Sequence, residues 1–167
     1  MAPPSSLTFG ILTSGGDCPG LNAAIRGVCK PAVTRYGMQV IGIPNGFRGL
    51  IEGATRVLEA SAFDGLLTQG GTILGTSREK PFAQGPPEER VKDSVAGRSK
   101  PEKIMENYRR LRLDCLVILG GNGTHKTARL LADRGLNVVG LPKTIDNDIW
   151  GTDVSFGFHS AVDIATE

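Results

Sequence analysis

The chain has 167 residues, 40% hydrophobic and 22% charged, and its 19 Lys plus Arg against 17 Asp plus Glu leave a net charge of +2. That suits one globular domain with a real core, and it argues against a protein held to nucleic acid by bulk charge. Apolar runs are too short to span a bilayer, the opening stretch lacks a signal-peptide pattern, and the scattered Cys18, Cys29 and Cys115 fit a reducing cytoplasm, not a disulfide or zinc framework.

In chain order, residues 1–6 read as a disordered tail and Leu7–Leu12 as a buried strand. The strand breaks at Thr13-Ser14-Gly15-Gly16-Asp17-Cys18-Pro19-Gly20. Ala24, Ile25, Val28, Cys29, Ala32, Val33 and Tyr36 then repeat at helical spacing up to the Gly37 stop, and Pro31 is expected to kink or interrupt that helix. Val40–Ile43 is a second strand. A glycine-rich stretch follows at Gln69–Arg78, and the polar, proline-bearing segment at about 79–101 reads as a surface loop. Ile104, Tyr108 and Leu111 mark one face of the next helix. Cys115–Leu119 is the clearest strand and opens into Gly120-Gly121-Asn122-Gly123-Thr124, and a helix through Ala128 and Leu131 stops at Arg134-Gly135. Asn137–Leu141 is the last strand, ending in Pro142-Lys143-Thr144-Ile145-Asp146-Asn147-Asp148. Residues 158–167 look like the start of a helix without a stop signal, so the natural polypeptide is expected to continue.

Strands alternating with helices, and apolar runs that are continuous, predict an α/β fold: an open, mostly parallel, Rossmann-like sheet with helices on both faces. Ligands of such sheets sit at the carboxyl ends of the strands. Two of those ends carry strand–glycines–helix turns, at Gly15-Gly16 and at Gly120–Gly123. Glycine lets a ligand approach the backbone, and a helix N-terminus offers free N–H groups and a positive dipole end to a phosphate. Such glycines also serve plain tight turns. Two of them, plus the third segment carrying Arg78, favour phosphate binding. The P-loop pattern and the dinucleotide fingerprint are both absent. Asp146 and Asp148 at a strand mouth suit proton abstraction from a hydroxyl and magnesium binding, or else an ordinary surface turn.

The stretch from Thr13 to Arg26 resembles the opening signature of the 6-phosphofructokinase family. Gly70–Arg78, Gly120–Thr124 and Pro142–Asp148 are similar to its next three signatures, in order. The resemblance implies the donor-binding lobe, over residues 7–167, of a magnesium-dependent, allosteric, cytoplasmic enzyme of glycolysis that phosphorylates fructose 6-phosphate from ATP. Gly15 and Gly121, Asn122, Gly123 and Thr124 would cradle the donor phosphates, with Arg78 on the transferring phosphate. Thr144, Ile145 and Asp146 would meet the sugar phosphate, with Asp146 as general base. Asn122 and Asp148 would support the metal, Asn122 standing where many members have aspartate. Gly123 usually accompanies ATP, whereas Lys143 also occurs in pyrophosphate-dependent relatives, so pyrophosphate is the alternative donor. The family's remaining sugar-phosphate groups would lie beyond Glu167 and partly in a neighbouring subunit of a dimer or tetramer. On this view the 167 residues alone bind donor weakly and do not turn over, and neither nucleic acid nor membrane is a partner. His125 and His159 receive no catalytic role, and Trp150 is expected to pack beside the acidic motif. The other readings are a noncatalytic nucleotide-binding domain and the lipid and NAD kinases that share the glycine turn without the Pro142–Asp148 motif.

Overall fold

A strand buried on both sides needs apolar side chains at every position, and the two central strands meet that requirement. β1 (Thr8–Thr13) and β6 (Cys115–Gly120) are buried along nearly their whole length. Phe9, Ile11, Val117 and Leu119 enter the core on one face of the sheet, and Leu12, Leu116 and Ile118 enter the core on the other. Each fully buried Leu or Ile contributes about 1.5–3 kcal/mol. The structure is a computed structural model that describes residues 7–82, 94–95 and 98–167. The expected tail at 1–6 lies outside the described residues, as do 83–93 and 96–97 of the expected loop.

Five strands form the main sheet in the order β3-β2-β1-β6-β7, with β2 (Gln39–Gly42), β3 (Arg56–Val57) and β7 (Val138–Pro142). β1 pairs in parallel with both β2 and β6, β6 pairs in parallel with β7, and the edge strand β3 is antiparallel. Helix α1 (Leu21–Tyr36) covers one face, joined by 3₁₀ turns at Ala60–Phe63 and Leu66–Thr68. On the other face lie α2 (Phe47–Glu52), α3 (Lys100–Arg110) and α4 (Asn122–Ala132). α5 (Phe158–Thr166) follows the acidic motif. The expected architecture is therefore present.

Three local expectations need correction. α1 runs unbroken through Pro31. Gly27, whose carbonyl loses its donor there, and Pro31 both lie on the exposed side of the helix, where water can replace the bond. The polar segment does not stay irregular to residue 101. β4 (Ser94–Val95) pairs with β5 (Arg98–Ser99), and α3 starts at Lys100 behind a capping box. There the Ser99 N–H donates to the Glu102 carboxylate at 2.8 Å, and the Glu102 N–H donates back to Ser99 Oγ at 3.4 Å. Finally, Trp150 does not pack beside the acidic motif. It sits in a turn at a loop tip and is 96% exposed.

Candidate functional site

After β1 the chain leaves toward β2, and it later returns to the other side of β1 as β6, so strand order reverses between them. Such a reversal opens a crevice beyond the strands' carboxyl ends. Both glycine-rich turns are placed there, since Thr13 is level with Leu119 and the Ser14 N–H donates to the Leu119 carbonyl at 2.9 Å.

The first turn is held from one side by the Gln69–Arg78 segment. Gly15, at φ +95°, donates its N–H to the Ser77 carbonyl at 2.9 Å and accepts from Thr76 Oγ1 at 2.7 Å. Thr13 Oγ1 donates to the Gly75 carbonyl at 2.7 Å. From the first turn of α1, the buried Asn22 donates to the Gln69 and Gly70 carbonyls at 3.1 and 3.2 Å and accepts from the Ile73 N–H at 2.7 Å. Arg78 is delivered to the crevice by this stapled segment. The Asn22 side chain does what a strand would otherwise do, and sequence reading assigned it no role. Its only advance signal was an amide in the first turn of a helix, where such side chains bond neighbouring backbone.

The second turn is a helix N-terminus in the strict sense. Only Gly121 separates β6 from α4, and α4 has neither a capping side chain nor an acid in its first turn. Its opening N–H groups therefore lack intrahelical partners. A Cβ on Gly123 would meet nothing within 4 Å, while one on Gly120 would stand 2.4 Å from the Thr124 side chain. His125 packs against Gly140, where a Cβ would come 2.6 Å from Nδ1. Burial pushes the His125 imidazole below its ordinary range, against an opposing pull from the Gly120 and Leu141 backbone, and its Nε2 has no hydrogen-bond partner among the described residues.

The acidic motif folds back on itself. Asn147, at φ +50°, accepts from the Ser155 N–H at 2.8 Å and donates to the Asp153 carbonyl at 3.1 Å, while Ser155 Oγ donates to the Thr144 carbonyl at 2.7 Å. Thr144 Oγ1 accepts from the Asp146 N–H at 3.0 Å and donates to Asp146 Oδ2 at 3.3 Å. Lys143, only 5% exposed, reaches back to the first turn, where its ammonium donates to the Gly16 carbonyl. This buried clasp and the Asn147 brace were also unassigned in the sequence reading.

These pieces enclose a cleft of about 720 Å³. Gly15, Arg78, Gly121, Gly123, Thr124, Lys143, Thr144, Ile145 and Asp146 all line it; Asn122 and Asp148 do not. Asn122 instead turns aside, Nδ2 donating to the Asp148 carbonyl at 3.4 Å. Arg78, Lys80, Lys126 and Lys143 bring positive charge to the cleft, against Asp17, Glu79 and Asp146. Glu79 is already paired with Lys100 at 3.0 Å. Cys18 also lines the cleft, and burial raises its thiol pKa in spite of the nearby Lys143. A second cavity, of about 400 Å³, opens at the amino ends of β1 and β6, and Asp114 is the one acidic or basic side chain in its described lining. Only the first has the donors and charges that suit an anion.

Geometry thus defines an α/β domain with a basic-lined cleft at the switch point, where an uncapped helix start opens. Comparison with known proteins narrows the class. The family model described as phosphofructokinase matches residues 8–167. An ATP-dependent 6-phosphofructokinase of Spirochaeta thermophila is 72% identical over the whole chain, which spans 45% of that protein. ATP-dependent 6-phosphofructokinase 3 of Bacteroides thetaiotaomicron is 56% identical over 96% of the chain and 46% of its own length. The solved Pichia pastoris phosphofructokinase in the T-state superposes with a TM-score of 0.81 at 33% identity, over 95% of this chain and 17% of that one. The chain belongs to the phosphofructokinase family, and it spans about half the length of the curated relatives it matches.

Proposed function

We propose that this chain is the donor-binding half of an ATP-dependent 6-phosphofructokinase, which moves the terminal phosphoryl group of ATP to the 1-hydroxyl of fructose 6-phosphate. The observation that carries the reading is the meeting, in one cleft, of the uncapped start of α4, four basic side chains and the Asp146 carboxylate. Phosphoryl transfer asks a protein for little besides positioning and charge neutralisation, and these groups supply both. The opening N–H groups of α4 receive donor phosphate, Arg78 neutralises the transferring group, and Gly15, whose own N–H is engaged, shapes the turn beside them. Thr144 holds Asp146 by Oδ2, so that Oδ1 takes the proton from the sugar hydroxyl. Ile145, half exposed at the cleft wall, meets the sugar face.

Magnesium fits this arrangement as an ion brought with the donor. Among the described residues no group of three or more His, Cys, Asp or Glu could hold a metal. Magnesium commonly uses one or two protein carboxylates together with substrate phosphates. Asn122 and Asp148, which touch each other outside the cleft lining, would be its protein side, so the ion would be held chiefly by the donor phosphates. When bound, it would offset the charge of the donor phosphates.

A volume of about 720 Å³ lies in the range that holds ligands the size of a nucleotide, far more than pyrophosphate needs. The names of the two relatives above also specify ATP. Pyrophosphate is the second reading, favoured by the buried Lys143 ammonium beside the Gly15-Gly16 turn. A cytoplasmic homo-oligomer that completes the sugar-phosphate grip outside these 167 residues belongs to the same proposal.

The test is a coupled assay of fructose 1,6-bisphosphate formation by the full-length protein. ATP is expected to give the higher kcat/KM, and Asp146→Asn is expected to lower kcat about 10²–10⁴-fold. A preference for pyrophosphate overturns the donor assignment, and an unchanged kcat in the variant removes Asp146 as the base.

A further inference from the structure

Residues 78–82 form part of the cleft wall, which Arg78, Glu79, Lys80 and Phe82 all line. Arg78, Glu79 and Lys80 lie in no helix or strand, so nothing in the backbone ladder fixes where Arg78 points. Two contacts with residues that do not line the cleft hold the segment instead. At one end the Glu79 carboxylate pairs with Lys100 Nζ at 3.0 Å, the two side chains being only 23% and 18% exposed. Lys100 is the first residue of α3, so this end is tied to a capped helix. At the other end the Phe82 ring packs against the core cluster that holds α2, α3 and α4, and the Arg134 guanidinium lies over its outer face, 4.6 Å from the centroid. Arg134 is steadied in turn by donating to the Leu130 carbonyl at 3.1 Å, at the end of α4. The helix whose start faces the donor phosphates therefore also carries the clamp on the strap that bears Arg78.

We infer that Lys100 and Arg134 are positioning residues for donor binding: they pin the Arg78–Phe82 strap at both ends, so that Arg78 and Lys80 face the cleft before the donor arrives. Neither lines the cleft, so neither touches the donor. Their effect comes from order prepaid in the free protein, which otherwise comes out of the binding free energy. Arg134 is exposed, so its replacement empties no core. The inference rests on Arg78 being a donor contact.

Steady-state kinetics of the full-length protein with ATP and fructose 6-phosphate tests it. Arg134→Met and Lys100→Met are each expected to raise KM for ATP about two- to five-fold, the strength of one such contact. The double variant is expected to raise it further, while kcat at saturating ATP and KM for fructose 6-phosphate stay put. Arg134→Lys, which keeps a cation over the ring, is expected to restore much of the affinity, and Arg134→Gln replaces the Met variant if that one does not fold. Contacts that served the fold alone would lower Tm and leave KM for ATP where it was, and that result overturns the inference. Arg78→Ala separates the two levels. If it leaves KM for ATP unchanged, the donor reading of Arg78 fails; if it raises KM while the pin variants do not, that reading stands and the pins fall.

Discussion

Residues 14–20 separate β1 from α1, whereas Gly121 alone separates β6 from α4. In sequence the two glycine-rich ends look interchangeable. In the fold they sit side by side and have different jobs. The N–H and C=O of Gly15 are both taken by Ser77 and Thr76, and its neighbour Gly16 receives Lys143. The first turn is thus a joint, binding the Arg78 segment and the acidic motif to the end of the sheet. The second turn offers the uncapped start of a helix and leaves the space around Gly123 open. Glycine is required for conformation in one and for access in the other.

The sharpest way to break this contrast is Gly123→Asp. A carboxylate there has room, but it would stand among the donor phosphates, and ATP affinity is expected to fall about 10–100-fold. At the same time an acid at a helix start favours the folded chain by about 0.3–1 kcal/mol. Calorimetric ATP titration and urea unfolding of the same variant should therefore move in opposite directions. If both worsen, the second turn is structural. Next in size is the alanine pair. Gly15→Ala at φ +95° is expected to lose about 1–2 kcal/mol of stability, whereas Gly123→Ala gains about 0.5–1 kcal/mol from the helix preference. Equal losses in urea melts would erase the distinction between conformation and access.

The smallest effect concerns His125, behind the second turn. Its pKa is lowered by burial from an ordinary 6.5, so the unfolded chain takes up a proton first as the medium is acidified. The His125 share of stability is then complete above about pH 6.5 and shrinks as pH falls through the folded pKa. His125→Asn is expected to flatten the stability–pH slope below about pH 6.5. An unaltered slope would show that another group carries it.

Much of this architecture was legible because buried strands advertise themselves. Leu116-Val117-Ile118-Leu119 has no polar break, and glycines follow it at once. α2 was not legible: six residues between Gly46 and Gly53 are too few to show a period, and its burial depends on α3, whose Asn107 donates to the Leu50 and Ile51 carbonyls at 2.7 and 3.1 Å. β3 is two residues long and exposed, so it leaves no apolar trace. At the site, the residue types facing the cleft were visible as motifs, but the supports were not. Asn22 and Lys143 act through backbone groups far along the chain, and Asn147 through a turn six to eight residues long, and no local pattern announces such bonds. Pro31 misled for the same kind of reason, since its effect depends on which side of α1 faces water.

The reach of Asn22 has one more consequence. Its amide ties Gln69, Gly70 and Ile73 to the first turn of α1, and Thr13 ties Gly75 to the last residue of β1. A segment that would otherwise fluctuate as a surface loop thereby joins the sheet's own cooperative unit. Its opening requires losing contacts at a strand end and at a helix start together, so the stretch up to Ser77 shares the rigidity of the fold's centre and leaves only the few residues from Arg78 onward to be held by other means.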